Sequence, residues 1–73
     1  MDEPLDLTGL KCPLPALMTK RALARCASGE TLIVWTSDPL AAVDIPHMCG
    51  QEGHSVENIN KELSRTVFRI RRG

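Results

Sequence analysis

Breakers cut this sequence into pieces that are each long enough for one element of secondary structure and no more. Gly9, Ser28-Gly29, Asp38-Pro39 and Gly53 separate runs of patterned residues, and glycine and proline are the strongest local interruptions of regular backbone. The core therefore has to be assembled from short strands and short helices packed in layers.

The pattern inside each piece names the element. Leu5-Asp6-Leu7-Thr8 alternates apolar and polar residues and reads as a short strand with one buried face, ended by Gly9. Pro13 suits the first helical position, where its missing N–H would be unpaired in any case, and helix-forming residues run on to Ala27 before Ser28-Gly29 stops them. Thr31 to Thr36 is β-branched and aromatic, hence a second strand. Asp38-Pro39 supplies an N-cap and a proline at N1, opening a second helical segment. Pro46 interrupts that segment, so Asp44-Ile45-Pro46 reads as a restart, with a short turn and then a helix from about Ile45 to Gln51 closed by Gly53. Ser55 to Lys61 and Thr66 to Arg71 suit strands, and the polar link from Glu62 to Arg65 makes them a hairpin. In the last run Phe68 and Ile70 share one face while Val67, Arg69 and Arg71 share the other, so one side of the sheet is solvated.

The expected fold is therefore α+β, a two-layer α/β sandwich of order β-α-β-α-β-β with two helices on one face of a four-stranded mixed sheet. At 73 residues residues 1–73 are read as a single domain, which buries only about 60% of its unfolded surface and has no room for a deep, enclosed substrate pocket. Lys and Arg total 9 against 9 for Asp and Glu. That balance gives no bulk attraction to nucleic acid or membrane, so strong direct nucleic-acid binding is not expected. The start, Met1-Asp2-Glu3-Pro4, lacks the basic and apolar regions of a secretory signal. The longest strongly apolar run, Leu32 to Trp35, falls far short of the ~20 residues that cross a bilayer. A cytoplasmic protein without membrane insertion is expected, and its three cysteines, odd in number and matching no paired framework, are expected to be reduced.

Cys12 stands where a strand feeds a helix, in the run Cys12-Pro13-Leu14-Pro15. The positive end of the helix dipole favours thiolate over thiol there. Pro13 and Pro15 temper the effect, because they lack N–H groups and leave Leu14 and Ala16 as the first-turn donors; the expectation is a moderate depression of the thiol pKa. Fixed φ at two of these positions also holds the sulfur in one orientation, as a thiol presented to another protein requires. A structural cysteine could also occupy a helix start. In the helix after Cys12, a charge-free arc roughly 180° wide contains Ala16, Met18, Thr19, Ala22, Leu23, Cys26 and Ala27, and this face is expected to meet the sheet. Leu14 and Leu17 fall outside the arc. They are either isolated surface leucines, which are common, or apolar anchors of a docking patch beside Cys12, ringed by Lys11, Lys20, Arg21 and Arg25 for an acidic partner.

The spacing of the other cysteines restricts the chemistry. Cys26 lies 14 residues beyond Cys12, roughly 21 Å along a helix, out of disulfide reach. A lone thiolate suits a carrier of sulfane sulfur, which an adjacent resolving thiol would discharge as a disulfide. Hydrolytic catalysis would need a base, and His47 and His54 are both distant in sequence. Cys26 reads as core packing and Cys49 as a semi-buried helix residue, with a second functional thiol at Cys49 left open. His47, Cys49 and His54 match no standard zinc spacing, so no metal is expected. Trp35 reads as packing, and Arg65, Arg69, Arg71 and Arg72 as a solvated strand face.

Taken together, Leu5-Asp6-Leu7-Thr8-Gly9-Leu10-Lys11-Cys12-Pro13-Leu14-Pro15, then Gly29-Glu30-Thr31-Leu32, Asp38-Pro39, Asp44-Ile45-Pro46 and Gly53-His54 resemble the TusA/SirA-like sulfur carrier proteins. The likeness runs from about Leu5 to Arg71, and the motifs are specific jointly rather than singly. It implies the same β-α-β-α-β-β sandwich, with Cys12 matching the sulfur-accepting cysteine and Pro13 and Pro15 the prolines that present it. It further implies that Cys12 attacks the outer sulfur of a donor persulfide, on a cysteine desulfurase or a rhodanese, and then yields that sulfur to a thiol-bearing acceptor protein. No cofactor is implied, and such a carrier is a co-substrate of other enzymes rather than an independent turnover enzyme. Asp38, Pro39, Asp44 and Pro46 match a second family signature, for which capping and helix-start roles suffice. Members serve transfer-RNA thiolation, cofactor sulfuration, oxidative sulfur metabolism and membrane transporters of sulfur compounds. Two other classes compete: a regulatory module binding protein or RNA through Leu14, Leu17 and the basic residues, and a redox sensor pairing Cys12 with Cys49.

Overall fold

The structure, a computed structural model, describes residues 4–73; the acidic start Met1-Asp2-Glu3 lies outside the described residues. Its elements are β1 (Leu5–Asp6), α1 (Leu14–Ala24), β2 (Thr31–Thr36), α2 (Ala41–Glu52), β3 (Ser55–Lys61) and β4 (Thr66–Arg71). The sheet order is β1-β2-β4-β3, with β1 parallel to β2 and the other pairs antiparallel. This is the expected mixed sheet.

The alternation in β2 and β4 sets the core. Register pairs Val34 with Phe68 and Leu32 with Ile70, and all four side chains are fully buried. Leu23 of α1 and Ile45, Met48 and Cys49 of α2 pack into the same cluster. Ile33, Trp35 and Val67 are half-buried, while Arg69 and Arg71 are exposed. Arg65 stacks over the Trp35 ring, 4.0 Å from its centroid, a cation–π contact. Glu57, beside a bulge in β3, accepts from Arg71 at 2.8 Å and lies 3.5 Å from Arg69, pinning the edge strand to β4.

Three elements differ from the sequence expectation. β1 is shorter, because the Asp6 carboxylate accepts both the N–H and the hydroxyl of Thr8 and turns the chain; such local bonds compete with the ladder. Leu7 still donates to the Trp35 carbonyl at 2.8 Å and is buried. α1 ends at Ala24 rather than Ala27, where the Arg25 and Cys26 N–H groups bond three residues back, to the carbonyls of Ala22 and Leu23, tightening the last turn. Its buried residues are Pro15, Thr19, Ala22 and Leu23, so Met18, at 38% exposure, leaves the expected buried arc. Ala27 is exposed too.

The third difference is α2, which runs unbroken through Pro46. A proline inside a helix loses one hydrogen bond and costs about 3 kcal/mol. Here the entry is secured beforehand by bonds from Ala41, Ala42 and Val43 to Asp38, Pro39 and Leu40. Ile45 and Cys49, at 0% and 1% exposure, fix the helix against the sheet, the burial of Ile45 alone contributing about 1.5–3 kcal/mol. Gly53 ends the helix at φ 81°, a left-handed conformation that favours glycine, and the His54 N–H closes it on the Cys49 carbonyl at 2.8 Å.

Candidate active site

Because β1 and β2 are neighbours and parallel, the connections leaving their carboxyl ends emerge at the same edge of the sheet, the usual place for a site in such topology. Two bonds tie these connections together. The Gly9 N–H donates to Ser37 Oγ at 2.7 Å, and the Cys12 N–H donates to Asp38 Oδ2 at 2.5 Å. The other Asp38 oxygen accepts the Leu40 N–H at 3.1 Å. One carboxylate thus joins the backbone of Cys12 to the entry of α2. An open groove of about 330 Å³ runs along this junction, lined by Gly9, Leu10, Lys11, Ser37, Asp38 and Pro39.

The local geometry places Cys12 just outside α1. Pro13 occupies the N-cap position, after a cis Cys12–Pro13 peptide, and Leu14 is the first helical residue. Pro15 lies in the first turn and is buried. The Leu14 N–H donates to the Lys11 carbonyl at 2.9 Å, so it is not offered to the sulfur. Instead the Cys12 thiol donates to Asp44 Oδ2, across on α2, at 2.7 Å. This overturns the expectation of a depressed thiol pKa. The Asp44 hydrogen bond holds Cys12 above the ordinary thiol range, with desolvation and the charges of Asp44 and Asp38 acting in the same direction. A helix end favours thiolate only when its N–H groups reach the sulfur, and an adjacent carboxylate opposes it.

Cys12 is exposed, whereas Cys26 and Cys49 are buried, and all three thiols are free. Cys26 donates to the Ala22 carbonyl at 3.4 Å. Burial pushes the Cys49 thiol up to about 11; the residue is part of the core rather than semi-buried. Leu14 and Leu17 are 46% and 50% exposed, and Met18 joins them. Leu40 and Val43, 58% and 67% exposed, lie on the stretch of chain that leads into Asp44.

The basic residues are not gathered at the thiol. Lys11 precedes it in the groove, but Lys20 is drawn to Glu52 at 3.6 Å. Arg21 lies in the last turn of α1 and Arg25 at its C-cap, the latter roughly 17 Å along the axis from Leu14 at 1.5 Å per residue. His54 accepts the Gly73 N–H at 3.0 Å. Among the described residues, no three His, Cys, Asp or Glu side chains converge as metal ligands, and no helix is long and apolar enough to cross a membrane.

Comparison with known proteins places this arrangement. Residues 3–72 match the family described as sulfurtransferase TusA. The chain belongs to the TusA family. Two relatives from Neisseria meningitidis, one from serogroup A and one from serogroup B, are each 50% identical over 52 residues, covering 71% of this chain and 70% of theirs. Each is named "putative sulfur carrier protein". The crystal structure of a SirA-like protein from Desulfitobacterium hafniense superposes with a TM-score of 0.81 over 96% of both chains at 24% identity, which shows the shared fold.

Within this TusA-family chain, capping roles account for Asp38 and Asp44 in sequence, but the structure makes both of them contacts of Cys12. The signal that could have found them is topological. A parallel β1/β2 pair brings the two connections after it to one edge, so acidic residues after β2 belong beside residues after β1.

Proposed function

We propose that the protein is a sulfur carrier that holds sulfane sulfur as a persulfide on Cys12. Cys12 Sγ attacks the outer sulfur of a persulfide on a cysteine desulfurase or a rhodanese. A bond forms between Cys12 Sγ and that sulfur, the donor's S–S bond breaks, and the donor cysteine leaves with the proton that Cys12 gives up. An acceptor protein's thiol then removes the sulfur in the same way, and no external oxidant or reductant is consumed. The observation that supports this reading most directly is that Cys12 is the exposed cysteine, while Cys26 and Cys49 are closed inside the fold.

Family membership supports the carrier role, and the exposed Leu14, Leu17, Met18, Leu40 and Val43 supply apolar surface on which a protein partner can dock. Pro13 and Pro15 carry presentation rather than chemistry. The whole chain acts as one unit, in the cytosol, where unpaired cysteines stay reduced.

Intact mass spectrometry after incubation with a cysteine desulfurase and cysteine, without reductant, tests the proposal. Wild type gains a reducible increment of about 32 Da, one sulfur atom, and Cys12→Ser gains none. Equal gain in both proteins, or none with several donors, would remove Cys12 from the centre of the function and favour a binding module built on the apolar rim.

A further inference from the structure

A carrier thiol must ionise to attack, yet the groups nearest this thiol oppose ionisation. Cys12 Sγ lies 2.7 Å from Asp44 Oδ2, and the backbone N–H of the same residue lies on Asp38 Oδ2. The other charged or titratable groups nearby in the chain are Lys11, immediately before Cys12, and His47, one turn beyond Asp44. Neither Asp38 nor Asp44 is in an ion pair among the described residues, although Glu52, Glu57 and Glu62 are. Two carboxylates in no ion pair among the described residues therefore sit at the thiol, and Leu14 and Leu17 after Cys12 and Leu40 and Val43 before Asp44 are exposed. An acidic centre with an apolar surround is complementary to a basic side chain carried on a partly apolar protein surface.

Resting on the reading of Cys12 as the sulfur-accepting nucleophile, we propose that Asp44 is a brake on that thiol, and that a docking protein releases it by seating a guanidinium or ammonium group against Asp44. In the free carrier Asp44 holds the proton on Cys12, so stray electrophiles and oxidants meet a thiol rather than a thiolate. In the complex the partner's cation neutralises the carboxylate, the Cys12 proton passes to solvent or to the departing donor thiolate, and the sulfur becomes nucleophilic where a donor persulfide is at hand. Reactivity is thereby coupled to docking. The partner class this selects is basic at the point facing the thiol, the reverse of the acidic partner expected from Lys11, Lys20, Arg21 and Arg25.

The charge can be supplied within the chain, so the test needs no partner. Leu40 precedes Asp44 by four residues, a spacing at which side chains meet on a helix surface. Alkylation by iodoacetamide, an uncharged reagent, is followed at Cys12 by peptide mass spectrometry as a function of pH. Asp44→Asn moves the midpoint of the profile to lower pH and speeds alkylation severalfold at neutral pH. Leu40→Arg does the same relative to Leu40→Gln, and that difference disappears when Asp44→Asn is also present. An unchanged profile in Asp44→Asn overturns the brake. So does an effect of Leu40→Arg that persists without Asp44, because that would be a general field rather than release of this carboxylate. No sulfur donor enters the assay: failure of wild type to accept sulfur, with alkylation behaving as stated, removes the carrier reading and supports the brake. Normal sulfur loading with an unshifted Asp44→Asn profile supports the carrier reading and removes the brake.

Discussion

The surroundings of Cys12 and Cys49 hold the same chemical group away from ionisation by different means. Cys49 is enclosed by the sheet-facing side of α2, and burial alone pushes its thiol up to about 11. Cys12 stands in the open, and a hydrogen bond to Asp44 is the first cause of its upward shift. Desolvation can be undone only by unfolding, whereas the half-buried Asp44 carboxylate lies against an exposed thiol, where a docking group can reach and neutralise it. The contrast extends to neighbours, since apolar side chains point inward around Cys49 and outward around Cys12.

The largest expected effect sharpens that division. Phe68→Ala, in the fully buried layer on β4 between β2 and β3, should cost about 3–5 kcal/mol in denaturant-induced unfolding, a large share of the marginal stability of a typical fold. Leu17→Ala on the exposed rim should change stability by less than about 0.5 kcal/mol. A rim substitution that costs as much as the core one would break the comparison.

Next comes pH. The folded-state pKa of Cys49 is raised, so its contribution to stability is fully present below the unfolded value near 9 and is lost as pH rises through about 11. Unfolding free energy should fall by roughly 2 kcal/mol over that window, and Cys49→Ala should flatten this part of the curve. A slope unaffected by Cys49→Ala would show that the thiol is not held by burial. The smallest effect concerns Thr19, fully buried on α1 with no hydrogen-bond partner for its hydroxyl among the described residues. Thr19→Val removes an unpaired polar group at nearly constant shape and should stabilise the fold by about 1 kcal/mol in the same unfolding assay.

Much of the fold was legible because local rules and burial agree along most of the chain. Alternation in β2 and β4, the hairpin link and the glycine stop after α2 each reflect a periodicity or a backbone preference carried by the residues themselves. The continuity of α2 was not legible. Pro46 carries a local signal to stop, and burial of Ile45 and Cys49 overrides it, a tertiary effect invisible to a proline rule. Met18 misled in the other direction, since an apolar residue on a charge-free arc need not be covered when the facing elements do not reach it.

At the candidate site the division falls between residue identity and environment. The sequence by itself determined that Cys12 follows a strand, precedes a proline-bounded helix and has no resolving cysteine beside it in the chain, because these depend on order and spacing alone. Only the tertiary structure decided what the sulfur touches. The parallel pairing of β1 and β2 draws two distant connections to one edge and sets Asp38 and Asp44 against Cys12. The direction in which a thiol titrates is fixed by charges a few ångströms away in space, whatever their distance along the sequence.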